Sequence, residues 1–102
     1  MPHRTAVILV VALTDNLITE RTPRLKALRD AGTLRTITPP LPAVTTTTQA
    51  SMLTGVPPRD HGIVANGWYD RESAEVRFWK QSNHLVHGEK VWETARKRDP
   101  SV

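Results

Sequence analysis

The feature that most constrains this chain is the apolar run Ala6-Val-Ile-Leu-Val-Val-Ala-Leu13. It is far shorter than the ~20 residues needed to span a bilayer. Asp15 and Asn16 follow it, where a secretory leader would carry a small-residue cleavage site. The run is rich in β-branched residues and shows no polar alternation. That pattern predicts a strand buried on both faces, as in a parallel sheet. A strand of this kind left without its neighbours is expected to expose apolar surface over Val7–Val11.

The rest of the chain fits an α/β reading. Thr22-Pro23 suits an N-cap followed by the first helical position, and Gly32 is placed to end the helix. Leu25, Ala27, Leu28 and Ala31 form its apolar stripe. Residues 34–38 alternate weakly and suggest a second short strand. Pro39, Pro40 and Pro42 break the pattern and impose a stiff extended approach. A helix then starts within Thr45–Thr48, runs through Gln49–Thr54 and stops at Gly55. Asp60-His61-Gly62 and Asn66-Gly67 read as turns. Glu75–Lys80 reads as a half-exposed strand with Val76 and Phe78 on one face. Gly88-Glu89 opens a last helix, with Val91, Trp92 and Ala95 sharing a face and Asp99-Pro100 as its stop.

With 102 residues the chain has room for one domain at most, read here as a single unit over residues 1–102. It contains no cysteine, which removes disulfides, thiolate metal sites and cysteine nucleophiles together. With no leader or spanning segment in view, the reading favours the cytoplasm and no membrane partner. Lys+Arg number 14 against 10 Asp+Glu, for a net charge of +4. The excess is densest at Lys90 and Arg96-Lys97-Arg98. Aromatic residues do not interleave with it as in a single-strand binder, so a solvated helix face is expected rather than a nucleic-acid surface.

The threonine run carries the chemistry. A helix N-terminus presents unpaired N–H groups and the positive end of the macrodipole, which favours oxyanions. A threonine hydroxyl there becomes a nucleophile only if a base or metal activates it. Without further context, these residues describe no more than a capped helix.

The context is the stretch from Pro42-Ala-Val-Thr45 to Thr54-Gly55, followed by Val56-Pro-Pro-Arg-Asp-His-Gly-Ile63. It resembles the nucleophile segment of the alkaline phosphatase superfamily, in the type I phosphodiesterase and nucleotide pyrophosphatase group. Val64-Ala-Asn-Gly-Trp68 and Gly88-Glu-Lys-Val-Trp-Glu-Thr-Ala95 are similar to that group as well. The resemblance implies a three-layer αβα fold with a mostly parallel sheet, of which this chain would be the N-terminal portion. It implies a hydrolase of phosphodiesters or phosphate esters acting on nucleotide-like small molecules. It implies two zinc ions, with Thr45 as nucleophile and metal ligand and a phosphothreonine intermediate.

The resemblance also assigns the Thr46 N–H to a phosphate oxygen. Thr48 stands where many relatives have a phosphate-holding asparagine. The first metal-binding Asp of the group has no counterpart in Val10–Leu13, and Asp15 is the nearest acid and the candidate ligand. The remaining ligands of the group lie farther along than residue 102. The 102-residue chain is therefore expected not to complete the reaction by itself.

His61 matches a position that holds a turn in the group. His84 and His87 are read as surface residues and His3 as part of a frayed terminus. Trp68, Trp79 and Trp92 are expected to anchor packing, with a nucleobase-stacking surface as the other reading. Two other functions stay open at this level: a truncated or non-catalytic member of the same fold, and a small basic binding module.

Overall fold

The computed structural model describes residues 5–80 and 82–101. They divide into two compact units, the first ending at Ile37 and the second beginning at Thr38.

In the first unit the only regular helix among the described residues is α1, Pro23–Ala31. Pro23 opens it, as its fixed φ and missing N–H allow at a first helical position. The Gly32 N–H closes it on the Arg29 carbonyl at 3.2 Å. Thr22 precedes the helix, but its side chain turns back. Its hydroxyl accepts the Thr19 N–H at 2.9 Å and lies 3.1 Å from the Leu17 and Thr19 carbonyls. The expected N-cap bond is therefore not made. A short 3-10 turn, Asp15–Leu17, lies upstream. No residue of α1 is buried, and Leu28 is 70% exposed.

The expected parallel strand at 6–13 is not formed. Residues 5–10 have no regular structure, and Ala12 takes a left-handed φ of 62°. Residues 34–38 form no strand either. A strand owes its stability to a ladder of inter-strand hydrogen bonds and to cross-strand side-chain pairs. Neither segment has a partner among the described residues. The expected exposed apolar surface is present: Val7 and Ile8 are 81% and 80% exposed.

The second unit is built around α2, Thr45–Thr54. Val44, not a threonine, occupies the N-cap, and its carbonyl accepts the Thr48 N–H at 2.9 Å. Gly55 ends the helix in the left-handed region at φ 71°, which only glycine enters without a Cβ penalty. The four-residue helix α3, Pro58–His61, packs against α2. A two-stranded antiparallel hairpin follows: β1, Gly67–Asp70, pairs with β2, Glu75–Phe78. The register sets Gly67 opposite Phe78 and Tyr69 opposite Val76. A Cβ at Gly67 would come within 2.5 Å of the Phe78 ring, so the close crossing needs glycine there. A 3-10 turn, Asn83–Leu85, leads to α4, Val91–Arg98.

The mixed α/β class thus stands, with four helices and one small sheet among the described residues. That sheet is antiparallel, where a mostly parallel one was expected. Its tight connection explains the sense. Strands joined by a short hairpin loop can only run antiparallel, whereas parallel pairing requires a crossover of a dozen or more residues.

The buried centre is small and mostly polar. Ala50 and Ile63 are its apolar members, and Thr47, His61 and Lys90 are buried with them. Thr47 Oγ1 has no hydrogen-bond partner among the described residues. Leaving a hydroxyl in that state costs about 1–3 kcal/mol.

Candidate active site

Thr45 is the first residue of α2; the residue is half-buried, and its hydroxyl makes no hydrogen bond among the described residues. The first amides of a helix have no acceptors within the helix. In α2 one of them is satisfied from outside: Asn66 Oδ1 accepts the Thr46 N–H at 3.0 Å. The Thr46 hydroxyl donates to the Ala65 carbonyl at 2.7 Å and lies 3.0 Å from Asn66 Oδ1. The Asn66 carbonyl in turn accepts the Trp79 N–H at 2.8 Å. Asn66 therefore ties the start of α2 to the residue that follows β2. In the sequence Asn66 shows only as part of an Asn-Gly turn. Its capping of a helix 20 residues away becomes visible in space and has no local signal in the chain.

Thr45 and Thr46 open onto a cavity of about 400 Å³. Trp79, Trp92, Lys80 and Lys90 line it too, as do the buried Ala50 and Ile63. Trp79 holds a left-handed φ of 56°, an unusual conformation for a bulky side chain. Strain of this kind persists only where the surroundings enforce it, and the bond to Asn66 is one such constraint. Lys80 Nζ lies 3.2 Å from Asp70 Oδ2 and 5.7 Å from the centre of the Trp68 ring. The Ser73 N–H and then Lys80 hold the Asp70 carboxyl down to about 2. Trp79 and Trp92 are 53% and 39% exposed, so they wall the cavity rather than fill a core.

Beneath α2, His61 is fully buried. Its Nδ1 accepts the Ile63 N–H at 3.1 Å, which leaves Nε2 to carry the proton and donate to Ser51 Oγ at 2.9 Å. Its carbonyl accepts the His87 N–H at 3.0 Å. One residue thus joins α2, the turn after α3 and the loop ahead of α4. Burial pushes its pKa below the ordinary value, while its own backbone hydrogen bond and the nearby Asp60 charge oppose that shift. His84 and His87 are exposed. His3 lies outside the described residues.

Thr48 sits one turn into α2, half-buried, with its N–H engaged by Val44. Asp15 belongs to the first unit, in the 3-10 turn, where its carboxylate lies 3.6 Å from the Arg29 guanidinium.

The sequence pattern of the type I phosphodiesterase / nucleotide pyrophosphatase family matches residues 5–102. The chain belongs to this family. Searches of curated proteins and of solved structures found no match. Membership makes the phosphodiesterase and nucleotide pyrophosphatase group of hydrolases the frame for the site, with an alkaline-phosphatase-like fold and phosphate-ester substrates. Members of the family are generally metal-dependent.

Among the described residues no three His, Asp, Glu or Cys side chains are grouped as a metal shell needs. These residues do not by themselves fit a two-zinc centre. No described helix is long and apolar enough to cross a membrane.

Proposed function

We propose that this member of the phosphodiesterase and nucleotide pyrophosphatase family carries the nucleophile of a phosphodiester or phosphate-ester hydrolase at Thr45. The observation that supports this reading is the Thr45 hydroxyl itself. It stands at the positive end of α2, without an intramolecular partner among the described residues, on the wall of a cavity. Thr45 Oγ1 forms the bond to phosphorus as its proton passes to solvent water, and the P–O ester bond breaks, its oxygen leaving with the bonding pair and taking up a proton from water. Water then cleaves the phosphothreonine, returning the hydroxyl and releasing phosphate or a phosphomonoester.

The chain's own residues bind and orient in this scheme. The α2 N-terminus stabilises negative charge on the phosphoryl oxygens. Asn66 has committed its Oδ1 to Thr46, so its amide NH₂ is the group left to donate to a phosphoryl oxygen. Thr46 acts through that bond, and its N–H reaches a phosphoryl oxygen directly only in exchange for Asn66. Thr48 is the second hydroxyl of the set. Zinc is the ion that the family resemblance calls for, and the described donors do not complete a shell for it. The Trp79 and Trp92 walls suit a flat, nucleotide-like portion of the substrate.

The test is Thr45→Ala. Hydrolysis of bis(4-nitrophenyl) phosphate should fall by a factor on the order of 10⁴ or more, and acid quenching should no longer trap a phosphothreonine. Turnover that survives the change would overturn the assignment.

The missing metal grouping favours a second reading, a family member that binds phosphate esters without hydrolysing them. Tight, stoichiometric binding of two zinc ions would contradict it.

A further inference from the structure

Asn66 is followed directly by Gly67. In such a pair the glycine nitrogen can attack the side-chain amide carbon of the asparagine, because no Cβ hinders its approach. The fold acts on both partners of that reaction.

The nitrogen is left out of the hairpin ladder. The Trp79 N–H donates to the Asn66 carbonyl at 2.8 Å. That bond occupies the rung beside Gly67, so Gly67 and Phe78 face each other as a non-hydrogen-bonded pair. The Gly67 N–H therefore points away from β2. A bulkier residue that would slow the attack has no room here, since a Cβ would come within 2.5 Å of the Phe78 ring. The packing that demands glycine thus also keeps the attacking nitrogen unhindered.

The carbon is activated. Asn66 Oδ1 accepts the Thr46 N–H at 3.0 Å, at the positive end of α2. A fixed donor on the amide oxygen draws electron density from the carbon and stabilises the oxyanion that forms on attack. Asn66 is half-buried rather than sealed, so water has access to it.

We propose that Asn66 is a self-modification site, whose deamidation turns the head of α2 from a phosphoryl-binding end into a phosphoryl-repelling one. The Gly67 nitrogen forms a bond to Asn66 Cγ and gives its proton to water. The Cγ–Nδ2 bond breaks, and Nδ2 takes up a proton and leaves as ammonia. Water then opens the five-membered ring at either carbonyl, leaving an aspartate or an isoaspartate at position 66. Water is the sole co-reactant, and nothing is oxidised or reduced. Either product carries a carboxylate where the amide NH₂ stood. It donates nothing to a phosphoryl oxygen, and its charge competes with phosphate for the same helix end. This consequence rests on the reading of Asn66 as a phosphoryl donor, whereas the covalent change does not.

The test holds the folded chain in mildly alkaline buffer, then digests it and scores residue 66 by mass spectrometry, with ammonia release measured in parallel. Conversion should build up at residue 66 while Asn16 and Asn83, followed by Leu17 and His84, keep their amides. Asn66→Gln, whose ring would be six-membered, should abolish the ammonia release. In calorimetry the aged chain should bind inorganic phosphate about tenfold more weakly than the fresh one, in line with a lost hydrogen bond to a charged group. Asn66→Asp should match the aged chain.

An Asn66 that stays intact in the folded chain would overturn the proposal, and conversion in urea alone would assign that protection to the ladder. Equal conversion at Asn16 or Asn83 would overturn it too. Phosphate binding that is absent from the fresh chain, or unchanged by conversion, would overturn the switch and the phosphoryl-donor reading of Asn66 together. The assignment of Thr45 is read separately, by trapping of the phosphothreonine.

Discussion

The stretch ending at Ile37 and the stretch beginning at Thr38 use their residues in opposite ways. The first contains the most apolar run of the chain, yet Val7–Val11 stand 49–81% exposed and α1 buries nothing. The second has no comparable run, yet it encloses a centre made of Thr47, Ala50, His61, Ile63 and Lys90. Apolar composition becomes burial only when another surface is present to cover it. The second unit obtains that cover through specific polar contacts: Asn66 on the end of α2, and His61 between Ser51 and Ile63.

Substitutions can break this contrast. The largest expected effect is at His61. His61→Ala removes a buried side chain and strands the Ser51 hydroxyl and the Ile63 N–H. It should cost about 2–4 kcal/mol in denaturant unfolding of the chain. A cost below about 0.5 kcal/mol would mean that His61 does not organise the second unit.

Asn66→Ala should cost about 1 kcal/mol through the lost helix cap. The Trp79 N–H should stay bonded, because it is held by the backbone carbonyl of residue 66 and not by the side chain. Turnover should fall in this variant as well, because the proposed phosphoryl donor is gone.

Acid gives a smaller effect. The folded-state pKa of His61 lies below the ordinary 6.5, so the unfolded chain takes up the proton first. Its contribution to stability is complete above 6.5 and is lost as pH falls through the lower folded value. Asp70 has the same sign: its contribution is present above 3.8 and is lost as pH falls towards about 2. Melting temperature against pH should show the first step, and His61→Ala should erase it while sparing the second.

The smallest effect is expected in the first unit. Ile8→Ser alters a residue that is 80% exposed and should move stability by less than about 0.5 kcal/mol. A larger loss would show that the apolar run is covered in solution, and would close the gap between the two units.

Much of this was legible locally. Pro23 and Gly32 mark the ends of α1, and Gly55 marks the end of α2, because proline and glycine act on the backbone at their own positions. The Glu75–Phe78 strand was visible in its alternation. Its partner was not, since Gly67–Asp70 becomes a strand only by pairing. The parallel strand expected at 6–13 does not form, because an apolar run records what a segment would bury, not whether a neighbour is there to bury it. Thr45 and its flanking words stood out by their spacing. The cavity that Thr45 faces, and the role of Asn66 as its cap, had no local signature.

By itself, then, the sequence determined the family and the place of Thr45 at the head of a helix. It also set the stops imposed by proline and glycine. Those properties depend on residues close together along the chain. The tertiary structure decided that Asn66 caps α2, that His61 is a buried neutral joint, and that Trp79, Trp92 and Lys90 share a cavity with Thr45. These contacts join residues 10 to 47 positions apart, and only chain packing can select them from the many pairings that the same composition allows.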